Sequence, residues 1–270
     1  MKAWRFARPV IAALLGCLTT GLPVNALSGD FSVTPIRVYL DKDRKADVVT
    51  VKNSGIVPLQ FEIRPRAWTQ NASGEDVYVD TREVLAFPRL MTLKGGEERD
   101  IRIGMKIPPG AIEKTYRVYI AELPPTSRPD DSASDGTNVA FLINFAAPVF
   151  FAPIKPEPSL EIGRFDLADN RVDTTLKNSG NVHLFVEEMT VVGLDASDNE
   201  VYRETIPERY LLAGTTRAYK LDIPPGQCQA LTTIIYNVRT NKLSANAKKD
   251  VGKNSCSSKK SDTPAADSAS

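Results

Sequence analysis

A single histidine, His183, serves a chain of 270 residues, and that scarcity limits the chemistry the chain could perform. Triad-type catalysis needs a base oriented against a serine or cysteine, and His183 is the sole candidate. It lies in Gly180-Asn181-Val182-His183-Leu184, at the start of an apolar run, where a structural histidine is the simplest reading. Zinc requires three or four clustered ligands, which one histidine and distant cysteines cannot supply. Gly95-Gly96 falls between strand-like runs, so no helix follows it to cradle a phosphate. Glu97-Glu98 and Glu187-Glu188 are neighbours in sequence and would point to opposite faces of a strand, as solvated surface. These residues predict a non-enzymatic protein with no metal, no cofactor and no small-molecule substrate.

Charge excludes another class. Lys and Arg number 34 against 33 Asp and Glu, and a net charge of +1 offers no basic field for nucleic acid. Hydrophobic residues at 42% and charged residues at 25% suit a globular protein, with a length for two domains or one large one.

Residues 1–26 read as a secretory signal peptide: Lys2, Arg5 and Arg8 precede an apolar run that ends in Val24-Asn25-Ala26. A rival reading takes Leu14-Leu15-Gly16-Cys17 as a lipoprotein box, but the apolar run continues past Cys17. Cleavage after Ala26 removes three basic and no acidic residues, turning +1 into −2. It also leaves two cysteines, Cys228 and Cys256. In an oxidising compartment this pair predicts a disulfide worth roughly 3 kcal/mol; the alternative is two free thiols.

The elements that must position any site come in two copies. Lys-Asn-Ser-Gly occurs at 52–55 and 177–180, and Ile-Pro-Pro-Gly at 107–110 and 223–226. Between them, Leu93-Lys94-Gly95-Gly96 and Leu212-Ala213-Gly214-Thr215 lead to Arg99 and Arg217. Matches in one order at comparable spacing indicate a repeated fold, with a stiff join at Pro153-Ile154-Lys155-Pro156-Glu157-Pro158. The expected domains are 27–154 and 155–256, with residues 257–270 a disordered tail.

Ile101, Ile103, Met105 and Ile107 alternate with Arg102, Gly104 and Lys106, the period of a half-buried strand. Similar runs cover 33–40, 48–51, 59–67, 116–123, 174–176, 184–192 and 231–238, punctuated by turn residues. No amphipathic helix exceeds two turns. The prediction is an all-β chain of two immunoglobulin-like β-sandwich domains, with 129–138 a polar loop.

One strand departs from the pattern. Over 139–151, Val139, Phe141, Ile143, Phe145, Ala147, Val149 and Phe151 are all apolar, and Ala140, Leu142, Ala146 and Phe150 make the other face apolar too. Either the outer face is covered by the second domain or the 125–138 loop, or one face is held out for another chain.

The stretches Phe31-Ser32-Val33-Thr34-Pro35-Ile36-Arg37-Val38-Tyr39-Leu40, Val51-Lys52-Asn53-Ser54-Gly55, Trp68-Thr69-Gln70, Tyr116-Arg117-Val118-Tyr119, Glu122-Leu123-Pro124-Pro125 and Pro148-Val149-Phe150-Phe151-Ala152-Pro153 follow one another in an order and spacing that carry a likeness. Through them the chain resembles the periplasmic pilus-assembly chaperones of the chaperone-usher pathway, above all the branch often called archaic. The resemblance implies an L-shaped pair of sandwiches, located in the periplasm. Its partners would be pilus or fimbrial subunits, which lack one strand and receive the chaperone's, and an outer-membrane usher. It also implies that Val139, Phe141, Ile143 and Phe145 are the donated residues; burying three such side chains contributes about 5–8 kcal/mol before binding costs. A pair of basic residues anchors the subunit's terminal carboxylate in the family. Arg37 matches the first, which without the resemblance reads as a solvated strand arginine. The second, usually lysine, aligns with Pro148, and Arg117 is the candidate substitute. The competing function is an exported two-domain envelope binding module, or one lipid-anchored at Cys17, that buries the same strand.

Overall fold

A computed structural model describes residues 30–124, 141–207, 209–252 and 254–257. The expected signal peptide, the 129–138 loop, Val139, Cys17 and all but Ser257 of the expected tail lie outside the described residues.

The chain folds as two β-sandwiches. The first contains β1 (Phe31–Thr34), β2 (Val38–Leu40), β3 (Ala46–Asn53), β4 (Leu59–Gln70), β5 (Asp76–Asp80), β6 (Val84–Phe87), β7 (Leu90–Leu93), β8 (Glu98–Met105), β9 (Lys114–Leu123) and β10 (Asn144–Phe151). One sheet runs β1-β3-β8-β6 and the other β2-β10-β9-β4-β5, with β7 also paired to β4. The second contains β11 (Glu161–Ala168), β12 (Arg171–Lys177), β13 (Leu184–Leu194), β14 (Glu200–Thr205), β15 (Arg209–Leu211), β16 (Thr216–Asp222), β17 (Thr233–Thr240) and β18 (Ser244–Asp250). Its sheets are β11-β12-β16 and β14-β13-β17-β18, with β15 paired to β13. The only helix among the described residues, α1 (Pro225–Ala230), has six residues.

Alternation builds each core. Val49, Val51, Ile101 and Ile103 of one sheet face Phe61, Ile63, Val118, Ile120, Val149 and Phe151 of the other. Leu176, Val186, Met189, Val191, Ile234, Tyr236 and Val238 form the second core.

The sequence repeat is a repeat of hydrogen bonds. The Asn53 side-chain N–H donates to the carbonyls of Val57 (2.7 Å) and Leu93 (3.1 Å). Asn178 donates to those of Val182 (2.7 Å) and Leu211 (3.0 Å). Each Oδ1 accepts from the glycine two residues on, Gly55 or Gly180, at 3.0 Å. Both asparagines are fully buried, where each carbonyl would otherwise lie unpaired at a cost of about 1–3 kcal/mol. Gly96 and Gly214 hold the matching turns at φ 76° and 75°, a left-handed conformation that side chains disfavour.

Three expectations are corrected. The run 33–40 is two strands in different sheets, β1 and β2, broken at Pro35, which has no N–H to give a ladder. The run 139–151 is not one strand: β10 begins at Asn144, so Phe141 and Ile143 precede it. Glu187 and Glu188 do not diverge, because a bulge between Val186 and Glu188 lets both pair with Arg239. Cys228 and Cys256 form the expected disulfide, and the Cys228 side chain is fully buried.

Candidate functional site

β10 is held unequally on its two sides. It pairs with β9 along its whole length, Asn144↔Ala121 to Phe151↔Lys114, but with β2 only at Val149, Phe150 and Phe151. Residues 144–148 therefore present an edge with no strand partner among the described residues. Ahead of it the chain still follows β9, with the Glu122 N–H donating to the Ile143 carbonyl at 3.0 Å.

Side chains along this segment pass from solvent into the core. Phe141, Leu142 and Ile143 are 61%, 46% and 38% exposed. Phe145 is half-buried and packs on the first core, and Ala147, Val149 and Phe151 are buried. On the opposite face Phe150 is covered by the second domain, packing with Trp68 and Leu212. The second domain thus covers the end of the strand, and Phe141, Leu142 and Ile143 ahead of it stay exposed. Three adjacent exposed apolar residues beside an open edge form the feature that soluble proteins normally avoid.

The junction between the domains is a cleft lined by rings and guanidinium groups. Arg37, between β1 and β2, lies over the Phe185 ring at 4.6 Å and 5.8 Å from the Tyr210 centroid. Arg117, on β9, lies over the Trp68 ring at 4.0 Å and 5.5 Å from Tyr210. It also donates to the Ala146 carbonyl at 3.1 Å. Two nearby arginines have carboxylate partners: Arg66 with Asp80 at 3.2 Å, and Arg217 with Asp76 at 3.5 Å. Arg37 and Arg117 have none among the described residues. Burial raises the Tyr210 hydroxyl above its ordinary value, against the pull of the Arg37 charge and, more weakly, that of Arg117. Two unpaired cations converging on one aromatic side chain offer a place for an anion, and a carboxylate fits a guanidinium in bidentate fashion.

Polar contacts across the junction fix this geometry. His183 Nδ1 and its backbone N–H both meet Glu113 Oε2 at 2.7 Å, with both side chains buried. The imidazole stacks on Phe150, centroids 3.6 Å apart and planes 13° from parallel. His183 is thus a structural histidine, and its role is to join the domains. Asn181 donates to the carbonyls of Ala111 and Lys155 at 2.9 Å and accepts from the Glu157 N–H at 2.7 Å, which ties down the proline-rich connector. A Cβ at Gly180 would meet the Glu157 carbonyl at 2.4 Å, so this approach requires glycine. On the far side Gln70 Nε2 donates to the Tyr210 carbonyl and Gln70 Oε1 accepts from the Leu212 N–H, both at 2.9 Å.

Of the residues expected from sequence, Phe141, Ile143 and Phe145 lie on one continuous segment, Arg37 and Arg117 converge in the cleft, and Val139 lies outside the described residues. Tyr210, Phe185, Glu113 and the roles of Trp68 and Gln70 were not foreseen. Trp68 and Gln70 sit in the quoted Trp68-Thr69-Gln70, but no local pattern says that they face another domain. Among the described residues no group of three or more His, Cys, Asp or Glu could hold a metal ion, and no helix is long and apolar enough to cross a membrane.

Residues 30–157 match the family described as pili and flagellar-assembly chaperone, PapD N-terminal domain. No curated protein matches by sequence. Among solved structures, the chain is similar to one of the CsuC-CsuE chaperone–tip subunit pre-assembly complex of archaic Csu pili from Acinetobacter baumannii, at 18% identity and a TM-score of 0.54, covering 81% of this chain and 97% of that one. It is also similar to the class 5 fimbriae chaperone CfaA, at 19% identity and 0.53, covering 82% and 99%. A third is the Salmonella enterica SafA pilin with the SafB chaperone, at 15% and 0.52, covering 83% and 97%. At such identities these likenesses establish the two-domain immunoglobulin-like fold.

Proposed function

We propose that this chain, which through residues 30–157 belongs to the pili and flagellar-assembly chaperones, binds newly exported pilus subunits in the periplasm and completes them by donating the strand that leads into β10. The observation that carries this reading is the exposed apolar segment Phe141–Ile143 running into a strand whose outer edge, over 144–148, has no strand partner among the described residues. An incomplete sandwich needs a row of main-chain partners and alternating apolar side chains, and this segment offers both. Phe141, Ile143 and Phe145, with Val139 ahead of them, are the donated residues. The terminal carboxylate of the subunit docks between Arg37 and Arg117, which sets the register of the added strand. The role is non-enzymatic. Residues 1–26 direct export and are removed, and the loaded chaperone passes its subunit to an outer-membrane usher.

The test is to purify the mature chain gently from its native periplasm and identify what co-elutes, beside a Phe141→Asp, Ile143→Asp variant. A β-rich subunit bound one to one by the native chain and lost from the variant supports the reading. Two preparations that both emerge alone, in the presence of such subunits, would remove it.

A further inference from the structure

Among the described residues, Tyr210 is the one ring that lies under both Arg37 and Arg117, the two guanidinium groups without a carboxylate partner there, at 5.8 Å and 5.5 Å from its centroid. Each cation also has a ring of its own, Phe185 under Arg37 at 4.6 Å and Trp68 under Arg117 at 4.0 Å. Two like charges without an acid between them repel, and long arginine side chains lose rotamer freedom when fixed. The negative face of a shared aromatic ring offsets both effects. Tyr210 is itself immobilised: its ring packs at 4.9 Å on Phe185 and edge-on to Trp68 at 5.3 Å, and its carbonyl is held by Gln70 of the first domain.

We infer that Tyr210, supplied by the second domain, is the positioning residue that holds Arg37 and Arg117 ready for the subunit carboxylate. The inference rests on the carboxylate-capture reading given above and adds a task for the second domain: the anchor is complete only when that domain is docked on the first. The aromatic face does most of the positioning and the hydroxyl adds a side-chain hydrogen bond with Arg37, so phenylalanine would serve better in its place than an aliphatic side chain.

The experiment compares Tyr210→Leu, which keeps an apolar side chain but removes the π face and some volume, with Tyr210→Phe, which keeps the ring. The probe is the subunit that co-purifies with the wild-type chain, used with its native C-terminus and with a short Gly-Ser extension that moves the carboxylate away. Tyr210→Leu is expected to weaken binding of the native-ended subunit by about tenfold, the factor that two cation–aromatic contacts of ordinary strength supply together. Tyr210→Phe is expected to lose clearly less than Tyr210→Leu, because the ring and both cation contacts remain and only the hydroxyl's bond with Arg37 is removed. The extended subunit should bind the wild type and Tyr210→Leu alike. Equal loss with both forms of subunit, no loss in Tyr210→Leu, or an equal fall in Tyr210→Phe overturns the positioning role while leaving strand donation standing. Failure of the wild-type chain to bind any subunit overturns the functional reading itself.

Discussion

Arg117 and Pro148 stand directly opposite each other across the β9–β10 ladder. Side chains of paired residues share a face, so a guanidinium at 117 reaches the space that a basic side chain at 148 would occupy. On the carboxylate-capture proposal, this pairing lets Arg117 take the place of the lysine that the resemblance implies at the position held here by Pro148.

The first prediction follows from it. Arg117→Ala and Arg37→Ala should each weaken binding of the co-purified subunit by roughly 10- to 100-fold, the value of a charge-assisted hydrogen bond of about 1.5–3 kcal/mol. Adding Pro148→Lys to Arg117→Ala should recover part of the loss. If the double variant binds no better than Arg117→Ala in a titration, the two positions do not serve the same carboxylate.

Asn53 and Asn178 perform the same task in the two sandwiches, and each bridges two backbone carbonyls from a fully buried position. Replacing either by alanine should cost about 2–4 kcal/mol by leaving buried groups unpaired. Calorimetry should show the melting temperature of the affected sandwich falling by roughly 10 °C or more. A change of only a degree or two in both variants would contradict the assignment.

Glu113 and His183 join the domains through a pair that is almost wholly buried. Removing one partner strands the other, at about 3–5 kcal/mol, whereas replacing both with apolar residues of similar size is much less costly. In urea denaturation His183→Ala should therefore be less stable than Glu113→Leu, His183→Leu. The opposite order would mean that the pair is not the source of the coupling.

Tyrosines set an alkaline limit. Burial pushes the Tyr78 and Tyr202 hydroxyls up to about 12. Burial also raises Tyr236, and raises Tyr116, whose bond to Glu83 adds to the effect. Raised values mean that the folded state resists ionisation that the unfolded chain undergoes near 10, so this stability is whole below pH 10 and is lost as pH climbs toward 12. Resistance to denaturant should fall across that window, and tyrosinate absorbance of the folded protein should lag that of the unfolded chain. Ionisation of every tyrosine near pH 10 without unfolding would refute it.

Much of the fold was legible from local pattern. Period-two alternation, turn residues and the repeated Asn-Ser-Gly motif act over a few residues, and strands such as β8, β9 and β13 followed from them. The all-apolar run was visible for the same reason, although β10 starts at Asn144 because only from there does the backbone settle into the continuous β9 ladder. The partial burial of that run depended on a second domain arriving over Phe150. The cleft belongs to tertiary structure alone: Arg37, Trp68 and Arg117 meet Phe185 and Tyr210 from distant parts of the chain. No periodicity records which solvent-like position will face another domain. Charge balance and spacing determined that catalysis and metal binding were unexpected and that one strand had too much apolar surface. Docking of the domains, through Glu113–His183 and Gln70, decided which arginines have no acid partner among the described residues and converge on one ring, because pairing of charge is a property of neighbours in space.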